Sequence, residues 1–185
     1  MWIINYRLFP KPETQFFLRS LFRECAEVEG VDRDGACLGF LKKSGGGDVP
    51  VMCPIGSIGE GTEKHLQGYI RMKTRFLRRN TQFLTSFEME PIDFNGEKVV
   101  LGGGLSFPNF IVAGAGTRFE INEVLAYLFG CYLENLHRGG TGYVWLRGDV
   151  ENNFSIFSDC RMAESVMGRG VLQKVLPRVR KALGV

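Results

Sequence analysis

The sequence predicts an α+β fold, with an antiparallel sheet of five or more strands flanked by helices. Three observations predict it. Four long segments carry apolar residues at helical spacing, while several short segments are rich in β-formers or alternate. The short segments follow one another across glycine turns, the kind of connection that joins antiparallel neighbours. No Pro-, Gly- or Ser-rich linker separates two halves, so 1–185 reads as a single domain.

The elements follow in order. Residues 1–9 hold Trp2, Ile3, Ile4 and Tyr6 and read as a short strand. Lys11-Pro12-Glu13 opens a helix, with Pro near the first helical position and an acid in the first turn. Phe17, Leu18, Leu21, Phe22, Cys25 and Val28 form its apolar stripe, and Gly30 is its expected stop. Residues 36–41 are an expected strand and 49–52 its hairpin partner, which Pro50 confines to an edge. Thr62 is read as the N-cap of a helix running to about Arg79, with Leu66, Tyr69, Ile70, Phe76 and Leu77 on its apolar side.

Three strands are expected next, at 82–89, 97–101 and 107–113. Thr117 with Glu120 makes a capping box for a helix to about His137. Residues 143–146 and 153–157 suggest a hairpin, and a last helix covers roughly 162–183 with Pro177 inside it.

Composition excludes several classes. Apolar residues make up 44% and charged residues 23%, which argues against a disordered chain. A net charge of +3 does not mark a nucleic-acid binder. The five cysteines, Cys25, Cys37, Cys53, Cys131 and Cys160, form no C-x-x-C pair and suit reduced thiols in a cytoplasmic setting. The first ten residues lack the pattern of a signal peptide, and no apolar run is long enough to span a membrane.

Catalytic signatures are missing. His65 and His137 are the only histidines, and no metal-ligand spacing surrounds them. No nucleophile elbow or P-loop occurs. An enzyme ranks last among the expectations, and neither a catalytic nor a metal-binding residue is assigned.

Four features invite a functional reading. The turn Gly114-Ala115-Gly116-Thr117 precedes a helix, whose N-terminal N–H groups suit an anion. Arg71, Arg75 and Arg78 lie on one side of the helix from Thr62, as either an anion contact or a solvated face. Residues 124–133 are ten uncharged residues in a row, expected either in the core or against a second subunit of a homodimer. The C-terminal helix has Arg169, Lys174, Arg178, Arg180 and Lys181 opposite an apolar stripe, and docking on the sheet is its expected role.

Residues 62–133 also carry a family pattern. Tyr69-Ile70-Arg71-Met72-Lys73-Thr74 is a basic helical segment, Gly103-Gly104-Leu105 a glycine pair, and Gly114-Ala115-Gly116 a turn. Glu120 and Glu123 follow in the next helix. This order resembles a bacterial family of haem-binding or haem-degrading-type proteins. The family includes glycolate-operon accessory proteins and the C-terminal domain of some corrinoid adenosyltransferases. The resemblance implies a profilin-like sandwich, often oligomeric, that binds a small molecule or tetrapyrrole. The resulting expectation is a non-catalytic domain for a small anionic ligand, with its cofactor unidentified. The ligand would lie between the sheet and the helices at 62–79 and 117–137, held by Arg71, Arg75, Tyr69, Phe107, Gly114, Gly116 and Thr117. The alternative is an adaptor module without a ligand, self-associating through 124–133.

Overall fold

A computed structural model describes residues 11–30, 35–45, 47–86, 89–94, 96–99, 101–151, 153 and 162–185. The first helix, α1 (Pro12–Glu29), starts at Lys11 and ends at Gly30, whose φ of 61° is the left-handed conformation that suits glycine. Strands β1 (Gly35–Lys42) and β2 (Val51–Gly56) form an antiparallel hairpin in which Leu38 pairs with Cys53. Helix α2 (Glu60–Arg79) begins two residues before Thr62, with Gly59 at its cap.

Strands β3 (Ile92–Phe94) and β4 (Glu97–Val99) pair only with each other. Strands β5 (Gly104–Ser106) and β6 (Phe110–Ala115) complete the main sheet, whose order is β2-β1-β6-β5. Helix α3 (Phe119–His137) follows, then a short 3-10 turn (Val144–Arg147) and helix α4 (Met162–Ala182).

The α+β class and the antiparallel sheet therefore stand, but among the described residues the main sheet has four strands rather than five or more. The reasons are local. The described residues of 82–89 contribute an isolated bridge, Thr85 to Leu105, rather than a strand. The 97–101 segment closes a separate hairpin instead of joining the sheet. Residues 144–147 coil into a 3-10 turn, and Val150, Glu151 and Asn153 are helical. The strand expected over 1–9, and 154–157 of the last hairpin, lie outside the described residues.

Helices cover both faces of the sheet. Among the described residues α2 alone packs on one face, with Leu66, Ile70 and Leu77 set against Cys37, Leu41, Ile111, Ala113 and Ala115. On the other, Leu38, Phe40, Phe110 and Val112 meet α3, which is in turn covered by α1 and α4. Phe17 stacks on Tyr132 with ring centroids 4.7 Å apart, and Tyr132 stacks on Tyr143 at 6.3 Å, tying α1 and α3 to the segment after α3.

This arrangement bears out one of the two alternatives for the 124–133 run and corrects the expectation for the C-terminal helix. Residues 124–130, 132 and 133 are buried by their own chain, and Cys131 nearly so. The apolar run therefore needs no second subunit, because three layers (sheet, α3, and the α1–α4 pair) cover it. The C-terminal helix docks as expected, but on α1 and α3 rather than on the sheet. Lys174 reaches Glu29 at 3.2 Å, and Arg178 reaches Glu24 at 2.9 Å and also bonds Glu27. The side chain of Arg169 lies outside the described residues.

Candidate functional site

The seven residues expected to hold a ligand do not converge. Helices α2 and α3 cover opposite faces of the sheet, which separates the α2 residues of this set from Phe107. Arg71 and Arg75 stand exposed on the outer side of α2. Tyr69 packs partly buried beside the α2 core. Phe107 is buried across the sheet, against Tyr127 of α3 at a centroid distance of 6.2 Å.

The turn before α3 is closed by its own chain. The Gly114 N–H donates to the Gly103 carbonyl at 2.8 Å, and the Gly114 carbonyl accepts from Lys73 Nζ at 2.6 Å. Gly116, at φ +113°, lies so near Ala36 that a Cβ would stand 3.0 Å from its Cα, so packing requires glycine there. Thr117 is held by Asn122, which accepts the Thr117 hydroxyl at 2.7 Å and donates its amide to the Thr117 carbonyl at 2.7 Å. The capping box is replaced by this Thr117–Asn122 clasp, because α3 starts two residues later than Thr117.

A different site is built on the α3 face. A cavity of about 690 Å³ opens between the β5–β6 turn, α3 and the segment around the 3-10 turn. Leu84, Phe107, Pro108, Tyr127, Trp145 and Val150 give it apolar walls. Lys43, Glu134, Asn135, Arg138, Asp149 and Asn153 supply polar groups.

The groups best suited to acid–base work are committed. Glu134 accepts both the backbone N–H and the side-chain amide of Asn109, each at 2.7 Å, which pins the β5–β6 turn to α3. The Tyr127 hydroxyl donates to the Val150 carbonyl at 2.6 Å, and burial raises its pKa. Burial also pushes the Cys131 thiol up to about 12, so it stays protonated near neutrality. Partial desolvation lowers the Lys43 ammonium, against the opposing pull of Glu134.

Two donors in the cavity's lining residues have no acceptor. Trp145 Nε1 and Asn135 Nδ2 are buried without a hydrogen-bond partner. Buried polar groups in native folds are almost always satisfied, and each exception calls for a reason. Donors beside aromatic walls suit the oxygen of a flat ligand.

Lys73 was legible only as one more base of its helix, yet it is 3% exposed and faces the sheet. Its place at i+7 from Leu66 and i+3 from Ile70 puts it on the apolar stripe, and that spacing was the available signal. Burial lowers its pKa to about 7, so the amine is largely neutral in slightly alkaline solution. It holds α2 to β6 and touches no cavity described above. Nothing in the sequence pattern marked Glu134 or Trp145, because the cavity gathers residues from Lys43 to Asn153.

Among the described residues no group of three His, Cys, Asp or Glu side chains stands where it could hold a metal ion. His65 is exposed on α2, and His137 sits edge-on to Phe110 at 5.7 Å. No helix among the described residues is long and apolar enough to cross a membrane. Comparison with protein-family models, with curated proteins and with solved structures finds no match to this chain.

Proposed function

We propose that this protein is a non-catalytic small-molecule-binding domain, and that its ligand lies in the cavity against α3. The ligand has a flat apolar body and an anionic or carbonyl oxygen. The body rests among Phe107, Tyr127 and Trp145, and the oxygen accepts from Trp145 Nε1 or Asn135 Nδ2, with Arg138 and Lys43 adding positive charge. One observation carries this reading: two residues that line a roomy aromatic cavity, Trp145 and Asn135, each carry a buried donor without a partner.

A non-catalytic role is supported by the committed state of Glu134, Tyr127 and Cys131. A metal-free acid is favoured over a tetrapyrrole, because the cavity lining offers no histidine and its thiol is protonated. Cys25, Cys37, Cys53 and Cys131 are unpaired, which supports a reducing, cytoplasmic setting.

The experiment pairs native mass spectrometry of the protein purified from its host with calorimetric titration of 2-naphthoate and the uncharged 2-naphthalenemethanol. A retained small molecule, or binding that favours the carboxylate, supports the proposal. No retained mass and no binding of either compound would remove it.

A further inference from the structure

A second surface lies on the opposite side of the sheet, and nothing in the ligand reading uses it. Gly68, Arg71, Met72, Arg75 and Arg79 recur at helical spacing along the outer face of α2 and line a shallow groove of about 460 Å³. We propose that this groove docks an acidic amphipathic helix of a partner protein.

Three independent features fit that occupant. The first is charge. Lys64 is paired with Glu60, and Arg78 with Asp48, so these cations are neutralised within the chain. Among the described residues Arg71 has a 3.5 Å contact with the neutral Gln67, and no salt bridge engages Arg71, Arg75 or Arg79. Bases in the last turn complement the helix dipole, which accounts for Arg79 but not for Arg75 or Arg71, about one and two turns earlier.

The second is an apolar floor. Met72 is 39% exposed, one of the few large apolar side chains left in solvent. Phe76 lies beside it in the groove, stacked on Phe83 with centroids 5.5 Å apart. A bare polyanion has no use for this floor, whereas an amphipathic helix brings apolar side chains to it.

The third is Gly68. A glycine inside a helix costs about 1 kcal/mol relative to alanine. At Gly68 a Cβ would meet nothing within 4 Å among the described residues, so their packing gains nothing from the missing side chain. A partner backbone gains close approach there. The arginines are spaced by four residues, about 6 Å of helix rise, and a partner helix repeats its acids at the same interval.

The test uses the full-length protein and a synthetic helical peptide with Glu at every fourth position and Leu between. Its controls are the Gln version of the peptide and a poly(dT) oligonucleotide. The Glu peptide should bind in a salt-sensitive way and at least tenfold more tightly than the Gln peptide. The triple variant Arg71→Gln/Arg75→Gln/Arg79→Gln should weaken it at least tenfold, and Met72→Ser about threefold. Arg19→Gln on α1 should change nothing. Gly68→Leu should raise the melting temperature of the protein alone while weakening the peptide at least tenfold, an opposition that a merely solvated face would not give. Equal binding of the Glu peptide by wild type and the triple variant, no binding at all, or an oligonucleotide that outcompetes the peptide without regard to Met72 would overturn the proposal.

Discussion

Strands β1 and β6 present opposite surfaces to their two sides. Toward α2 they offer Cys37, Gly39, Ala113 and Ala115 among their inward residues, and toward α3 they offer Leu38, Phe40, Phe110 and Val112. A Cβ on Gly39 would stand 2.5 Å from the Ile70 side chain, so α2 lies close on a surface of small residues. On the α3 side, Gly103 and Gly114 let the first turn of the helix approach, Phe40 and Phe110 fill the space farther along, and a further layer of helices closes over it. The thin side leaves α2 with an outer face in water and room for charge. The thick side buries almost everything, yet its irregular edge near Trp145 leaves a cavity. One sheet thus supports two different kinds of surface.

The largest test of this contrast is Phe129→Glu. Phe129 is fully buried between the sheet and the outer helices. An unpaired charge there should abolish the cooperative unfolding transition seen by circular dichroism, since even Phe→Ala in a core costs about 3–5 kcal/mol. A soluble, folded variant would mean that α3 is exposed in the native protein.

Next comes Lys73, the one buried cation on the thin side among the described residues. Its ordinary pKa of 10.5 governs the unfolded chain, and the folded value is about 7. Between these values the unfolded chain binds more protons, so stability rises with pH, by up to about 1.4 kcal/mol per unit. Below pH 7 both states are charged and the full penalty is present. Urea melts of wild type and Lys73→Met between pH 7 and 8.5 should diverge, with only wild type carrying this rise. The buried thiols are common to both proteins and cancel in the difference. Parallel curves would show that the amine is solvated.

Gly130→Ala probes the cavity wall. A Cβ there would stand 2.0 Å from the Phe107 ring. The ring must shift, at a cost of about 1–3 kcal/mol. Binding of 2-naphthoate should weaken along with stability, and a variant as stable as wild type would contradict the packing described.

Thr14→Val makes the smallest change. The Thr14 hydroxyl and the Tyr132 hydroxyl are 3.1 Å apart in a buried setting that joins α1 to α3. Losing that bond should cost about 1 kcal/mol in thermal melts. A cost near zero would mean that water already satisfies Tyr132.

Much of this plan was legible where local chemistry decides structure. Pro12 and Gly30 mark the two ends of α1, and the spacing from Phe17 to Cys25 marks its buried side. The sheet was legible only in part. Three-residue strands such as β5 carry too little period to be read, and the glycines at 102–104, legible as a turn or a close approach, did not show that Gly103 meets Asn122 of α3. Which face a helix covers is set by the crossover of the strands, so the expected union of Arg71 with Gly114 across one pocket failed. The cavity was invisible for a related reason: its walls come from five separate stretches of chain, and Trp145 has no sequence neighbour that betrays its unpaired N–H.

The most direct test of the cavity as a binding site follows that N–H. In a ¹H–¹⁵N spectrum the indole signal of Trp145 is the one that Trp145→Phe removes. On titration with 2-naphthoate it should move downfield and saturate, because Trp145 Nε1 gains the acceptor it lacks. Trp145→Phe itself should weaken binding by about tenfold, matching a hydrogen bond to a charged group. If calorimetry shows binding while the Trp145 indole signal stays fixed, or if Trp145→Phe binds as tightly as wild type, the ligand does not sit where the unpaired donor is, and the account of the cavity is wrong.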